Sequence, residues 1–160
     1  MPRATDIVDR FNAVDAHDDT VEGIFIVPAA TRRSASTLEI TLFRHWENKR
    51  RVLQINGCVN MALSVDMTVL ADNAPNSTAS VEAIAAVERI EKIMRGQKKN
   101  WNVTYEKAID PLPVKLANAE KYVLFRVRFF GGALEVVARS FKIRRFNSSL
   151  NSDRLRGRLA

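Results

Sequence analysis

KYVLFRVRFFGGALEVVARSFKIR, residues 121–144, consists of two runs of alternating apolar and polar side chains around a Gly-Gly pair, and it decides the fold class. Glycine adopts positive φ without steric cost, so Gly131-Gly132 suits the two central positions of a type I′ turn. Pairing Lys121–Phe130 with Ala133–Arg144 across that turn puts Val123, Phe125, Val127 and Phe129 beside Leu134, Val136 and Ala138 on one face. The same register sets Arg128 opposite Glu135 on the other face. Both faces make chemical sense together, which identifies an antiparallel hairpin with one side in a core.

Upstream, Val59, Met61, Leu63, Val65, Met67 and Val69 alternate with polar or small residues, a period of two held for eleven residues. A usual strand has about five or six residues, so Gly57 is expected to mark a bend or bulge joining two shorter strands. Thr37–Glu47 and Arg50–Val59 form a second hairpin across Asn48-Lys49, in which Leu38, Ile40, Leu42 and Trp46 share a face with Leu53, Ile55 and Val59. Arg44 and Arg51 are the exceptions on that apolar face, near the exposed tip. Val21–Val27 reads as a buried strand because Ile24 to Val27 are all apolar, and Pro28 stops it.

Two helices complete the pattern. Ile7, Val8, Phe11 and Val14 make one stripe after Thr5, a potential N-cap, with Asp6 and Asp9 near the positive end of the helix dipole. Val87, Ile90 and Met94 recur at helical spacing, whereas Ser77–Ala83 reads either as an early helix start or as one more strand. Gly96 weakens the second helix and, if it ends it, leaves Trp101 outside. The residues therefore predict an α+β fold. It is mainly an antiparallel sheet or sandwich-like, with five to seven strands, an N-terminal helix and a longer helix near residues 85–98. Residues 1–146 read as one globular domain, with a loop near residues 103–119, and residues 147–160 as a basic tail.

The net charge of +7 is unevenly placed. Six of the 25 bases and one of the 18 acids lie from Lys142 onward, giving that segment +5 and leaving 19 bases and 17 acids, or +2, in the rest. No window reaches the roughly 18 to 20 apolar residues of a membrane span, and Met1–Val14 lacks the apolar core of a signal peptide. A cytoplasmic protein without membrane association is expected, and the single cysteine, Cys58, fits a reducing compartment.

Catalytic patterns are sparse. There is no phosphate loop, Gly-rich dinucleotide turn, nucleophile elbow or His-Glu-x-x-His, and only two histidines are present. His45 and Cys58 share a predicted hairpin but are about 20 Å apart along it, too far for proton transfer. Asp15, His17, Asp18 and Asp19 gather carboxylates and an imidazole, as a metal or hydrolytic site needs, but no second ligand cluster completes a shell. Acids at a helix-to-strand junction more often solvate a turn. On the last hairpin, Arg126, Arg128 and Arg139 lie with Tyr122 and Phe141, and the strand continues into Lys142, Arg144 and Arg145. Cations interleaved with aromatics on a sheet suit single-stranded nucleic acid, although the RNP aromatic pattern is missing.

The chain resembles a group of small, stand-alone bacterial β-rich domains of unknown function. The resemblance rests on His17-Asp18 before the first strand, Gly57-Cys58 after the hairpin and the long strand Asn60–Asn73. It continues through the helix Val87–Trp101 and the closing strand Ala138-Arg139-Ser140-Phe141-Lys142-Ile143. It covers about residues 15–143 and implies a cytoplasmic, immunity-like or adaptor-like domain with no catalytic residues. The expectation is thus a non-enzymatic interaction domain that binds another protein and needs no cofactor. The alternative is a nucleic-acid binder using Arg126, Arg139, Arg144, Arg145, Tyr122, Phe141 and the basic tail.

Overall fold

In a computed structural model of the chain, residues 3–28, 36–66, 78–104 and 116–145 are described. They form two helices and eight strands: α1 (Ala4–Asn12), β1 (Thr20–Val27), β2 (Ser36–Arg44), β3 (Lys49–Cys58), β4 (Asn60–Val65), β5 (Thr78–Ile84), α2 (Val87–Thr104), β6 (Val123–Phe129), β7 (Gly132–Ala138) and β8 (Ser140–Arg145). All pairings are antiparallel, in two four-stranded sheets of order β1-β2-β3-β8 and β4-β7-β6-β5. The α+β class is as expected, with eight strands rather than five to seven. Residues 67–69 of the long alternating run, most of the expected loop and the whole basic tail lie outside the described residues.

A single bent ladder joins the sheets. β3 runs into β4 and β7 into β8, so β3 pairs with β8 in one sheet while β4 pairs with β7 in the other. At the corner Gly57, Cys58 and Val59 face only Ala138 and Arg139, and one more residue on one side of an antiparallel pair is a bulge. The Val59 N–H donates to Val137 O at 2.9 Å and the Arg139 N–H to Asn56 O at 3.0 Å, so the hydrogen bonding continues through the turn of the sheet. Gly57 takes φ +73, and a Cβ there would lie 3.0 Å from the Arg139 side chain. Bending and crowding both require glycine at this corner.

The main core lies between the sheets and is plugged by α1. Leu38, Ile40, Leu53 and Ile55 of one sheet and Val123, Phe125, Leu134 and Val136 of the other are buried there with Ile7 and Phe11. The Phe11 ring stands edge-on to Phe125 and to Phe141, each at 4.8 Å between centroids. A smaller cluster on the outer side of the second sheet joins Ile90 and Met94 of α2 to Ala119, Tyr122, Leu124 and Val137.

Four expectations change. β1 is an edge strand with Phe25 56% and Ile26 54% exposed, because only β2 pairs with it. The β2–β3 connection is His45–Asn48, a 3-10 turn closed by Asn48 at φ 49, so Ile40 faces Leu53 and Trp46 is carried out to the tip at 58% exposure. In the last hairpin the turn residues are Phe130 and Gly131, and Glu135 faces Arg126 instead of Arg128. Only Gly131 of these two has positive φ, whereas a type I′ turn needs two such residues. Gly132 instead enters β7, where a Cβ would stand 2.5 Å from Ser64 O of β4. Finally, α2 runs past the expected end near residue 98 to Thr104, so Gly96 does not end it; of the two readings left open for the segment before it, the strand is the one observed, as β5.

Candidate functional site

The acidic turn between α1 and β1 folds inward at one position only. Asp19 is fully buried, and its carboxylate takes hydrogen bonds from Arg44 Nε at 2.9 Å and Arg51 Nε at 3.0 Å. Both guanidiniums also donate to the Asp15 carbonyl, and Arg44 reaches the Asp15 carboxylate at 3.0 Å. Arg44 further binds Glu47 at 3.2 Å and stacks 5.0 Å from the Trp46 ring centroid. Burial opposes the charge on Arg44, but the hydrogen bonds to Asp19 and Glu47 outweigh it and hold the pKa above the usual guanidinium value. His17 and Asp18 stay outside, paired with each other at 2.8 Å and both largely exposed. The four residues gathered in the sequence therefore separate: Asp15 and Asp19 join the two arginines, with only Asp19 buried, and His17 and Asp18 form an exposed pair. Among the described residues no three His, Cys, Asp or Glu side chains converge as metal donors.

The expected basic and aromatic face is also divided. Tyr122 is 5% exposed and lies under the edge of the second sheet's outer cluster, while Phe141 points into the main core. Arg139 caps Tyr122, its guanidinium 5.3 Å from the ring centroid and donating to the hydroxyl at 3.1 Å. Arg126 is held between Glu82 at 2.9 Å and Glu135 at 2.8 Å, and these hydrogen bonds, first of all that to Glu135, raise its pKa against the cost of burial. Glu135 also binds Arg89 of α2 at 3.0 Å, tying the helix to the sheet beside a shallow cleft lined by Glu88, Lys92 and Ile93. Arg144 binds Glu39 at 2.6 Å, whereas Arg128 and Arg145 are exposed. Carboxylates of neighbouring strands meet two of these cations, Arg126 and Arg144, and Arg139 is turned to Tyr122, so the face is not one continuous basic and aromatic surface.

Cys58 lies at the sheet corner, its Sγ donating to Ile55 O at 3.3 Å, and burial pushes the thiol pKa up. His45 sits at the opposite end of β3, where Nε2 meets Thr20 Oγ1 at 2.6 Å. The length of β3 separates the two by about 30 Å, so they form no nucleophile pair.

Reasoning from the sequence overlooked the large apolar side chains left in solvent: Phe25, Ile26 and Trp46, with Met61 37% and Leu63 47% exposed on β4. An all-apolar run such as Ile24-Phe25-Ile26-Val27 signals burial only where other layers cover both faces of the strand, and β1, at the edge of its sheet, leaves Phe25 and Ile26 exposed. No family model matches the chain, and comparison with curated proteins and with solved structures likewise finds no match. No helix among the described residues is long and apolar enough to cross a membrane.

Proposed function

We infer that this protein is a non-enzymatic interaction domain that binds another protein, in a bacterial cytoplasm as the resemblance implies. The observation that carries the reading is the exposed Phe25-Ile26 pair on the edge strand β1. An edge strand offers unpaired N–H and C=O groups, and apolar side chains beside them give a partner's strand both hydrogen bonds and buried area. Two of the ionisable groups that could serve chemistry are engaged otherwise. Both carboxylate oxygens of Asp19 are occupied by arginines, and the Cys58 thiol is held in its neutral form.

The test is affinity capture from the native host with the wild type and a Phe25→Thr, Ile26→Thr variant, each with and without nuclease. Threonine keeps strand propensity while removing apolar area. A stoichiometric protein that survives nuclease and is lost in the variant is expected. Retention of nucleic acid alone, or equal capture by the variant, overturns the reading.

A second reading rests on β8, where Lys142, Arg144 and Arg145 are exposed and Arg154, Arg156 and Arg158 follow in the sequence. It makes the chain a nucleic-acid binder whose affinity falls steeply with salt. Oligonucleotide affinity unchanged by Arg144→Ala with Arg145→Ala and loss of the tail would dismiss it.

A further inference from the structure

Asn56-Gly57 is the one Asn-Gly pair in the sequence, and it stands at the corner that both sheets share. The side-chain amide of an asparagine is open to attack by the backbone nitrogen of the next residue, and a following glycine has no Cβ in the way. A regular strand resists this reaction because the ladder fixes its peptides on both sides. Here the ladder is interrupted. On the β2 side Thr37 faces Asn56 and Ser36 faces Cys58, and the β3–β8 register ends at Asn56 and Ser140, so Gly57 has no opposite residue in either pairing. The peptide between Asn56 and Gly57 is held by the Arg139 N–H, which donates to Asn56 O at 3.0 Å.

Three further features favour the reaction. Asn56 and Gly57 are half-buried rather than enclosed, which admits water. Asn56 alternates with the buried Ile55 and so lies on the outer face of the first sheet, between Thr37 and Ser140 in register, two hydroxyls able to relay a proton. The Arg139 side chain packs against Gly57, where a glycine Cβ would stand 3.0 Å from it, and a cation at the corner favours the deprotonated amide nitrogen that attacks.

We propose that Asn56 is a site of spontaneous deamidation. The Gly57 nitrogen bonds to Asn56 Cγ while its proton passes to the side-chain nitrogen, the bond from Cγ to that nitrogen breaks, and ammonia leaves. Water then opens the cyclic imide at one of its two carbonyls. One opening leaves aspartate at this position, and the other leaves isoaspartate, in which the main chain runs through the former side-chain carbon. Nothing is oxidised or reduced, so water is the co-reactant. Aspartate adds a negative charge beside Arg139, which is otherwise engaged with the Tyr122 hydroxyl at 3.1 Å. Isoaspartate lengthens the backbone of β3 between the two hydrogen bonds that carry the ladder round the corner, Arg139 N–H to Asn56 O and Val59 N–H to Val137 O. Either product alters the point where the sheets meet.

Peptide mapping by mass spectrometry tests this, on the full chain kept folded in warm, mildly alkaline buffer and on the same chain in urea. Giving up the Arg139 hydrogen bond to turn the peptide should slow the folded chain about tenfold relative to the unfolded one. The peptide holding Asn56 is therefore expected to gain acid in the folded chain at no less than about a tenth of the unfolded rate, with part of the product isoaspartate by enzymatic methylation. Slower conversion overturns the proposal, because the ladder then protects the pair. Asn56→Ser keeps a small polar side chain without the amide, and it is expected to remove the isoaspartate signal. A signal of equal size in this variant overturns the assignment to Asn56, and fragment masses of the wild type locate the acid even if the variant does not fold. These rates do not bear on β1, so this site and the partner at Phe25 stand or fall separately.

Discussion

Asp19 is a carboxylate with no access to water, tolerable because Arg44 and Arg51 both reach it. Removing one member of a buried ion cluster strands the others, so Asp19→Ala should cost about 3–5 kcal/mol in urea unfolding. His17→Ala, two positions away but in an exposed pair, should stay within about 0.5 kcal/mol. Equal effects would mean that burial does not decide the role of these acids. The cluster was partly legible in the sequence. Arg44 and Arg51 stood out on an apolar hairpin face, and a charge at a core position asks for a partner. Which of Asp15, Asp18 and Asp19 would serve was not legible, because it depends on the path of the chain into β1. Cys58 gives a second test at this scale. Its folded-state pKa lies above the ordinary 9.0 because burial disfavours the thiolate. Below pH 9.0 both states keep the proton; above it the unfolded thiol ionises first, so the contribution to stability is lost as pH rises. The wild type should therefore lose stability faster than Cys58→Ser between about pH 9 and 10, measured by urea midpoints. Native alkylation should also be slow and should accelerate on unfolding.

Among the elements, both hairpins kept their faces while changing their partners. The observed register differs from the expected one by four residues in β2–β3 and by two in β6–β7. Side chains alternate with period two, so an even shift leaves every apolar residue on the same side. Alternation therefore reveals faces, whereas turns set register, and turns depend on single residues such as Asn48 at φ 49 and Gly131 at φ +83. The ion pairs across the strands followed the true register: Glu135 meets Arg126 and leaves Arg128 exposed. Gly132 shows the same dependence from the β4 side. Gly132→Ala would push a Cβ against Ser64 O, which is backbone and cannot rotate away. Amide exchange in Asn60–Val65 should speed up markedly in this variant while that of β6 stays slow. Unchanged protection of β4 would mean that the strand tolerates the displacement.

At the scale of the whole molecule, the bent ladder decides how the two sheets depend on each other. β3–β4 and β7–β8 each contribute to both sheets, and Phe11 of α1 touches Phe125 in one sheet and Phe141 in the other. Neither sheet can lose its pairing at the corner without disturbing its neighbour, so the described elements should unfold as one cooperative unit. Trp46, at the tip of β2–β3, reports on the first sheet once Trp101 is replaced by Phe, while ellipticity at 222 nm is weighted towards the helices, chiefly α2 against the second sheet. The two signals should share one urea midpoint. In a Gly57→Ala background both should move together, by about 1–2 kcal/mol for a left-handed residue given a side chain, and further if Arg139 cannot shift. Midpoints that separate, or a Gly57→Ala shift confined to one signal, would show that the corner links the sheets only geometrically. A common shift makes it the point where they are coupled energetically, so that a partner at β1 would be reading a single folded unit.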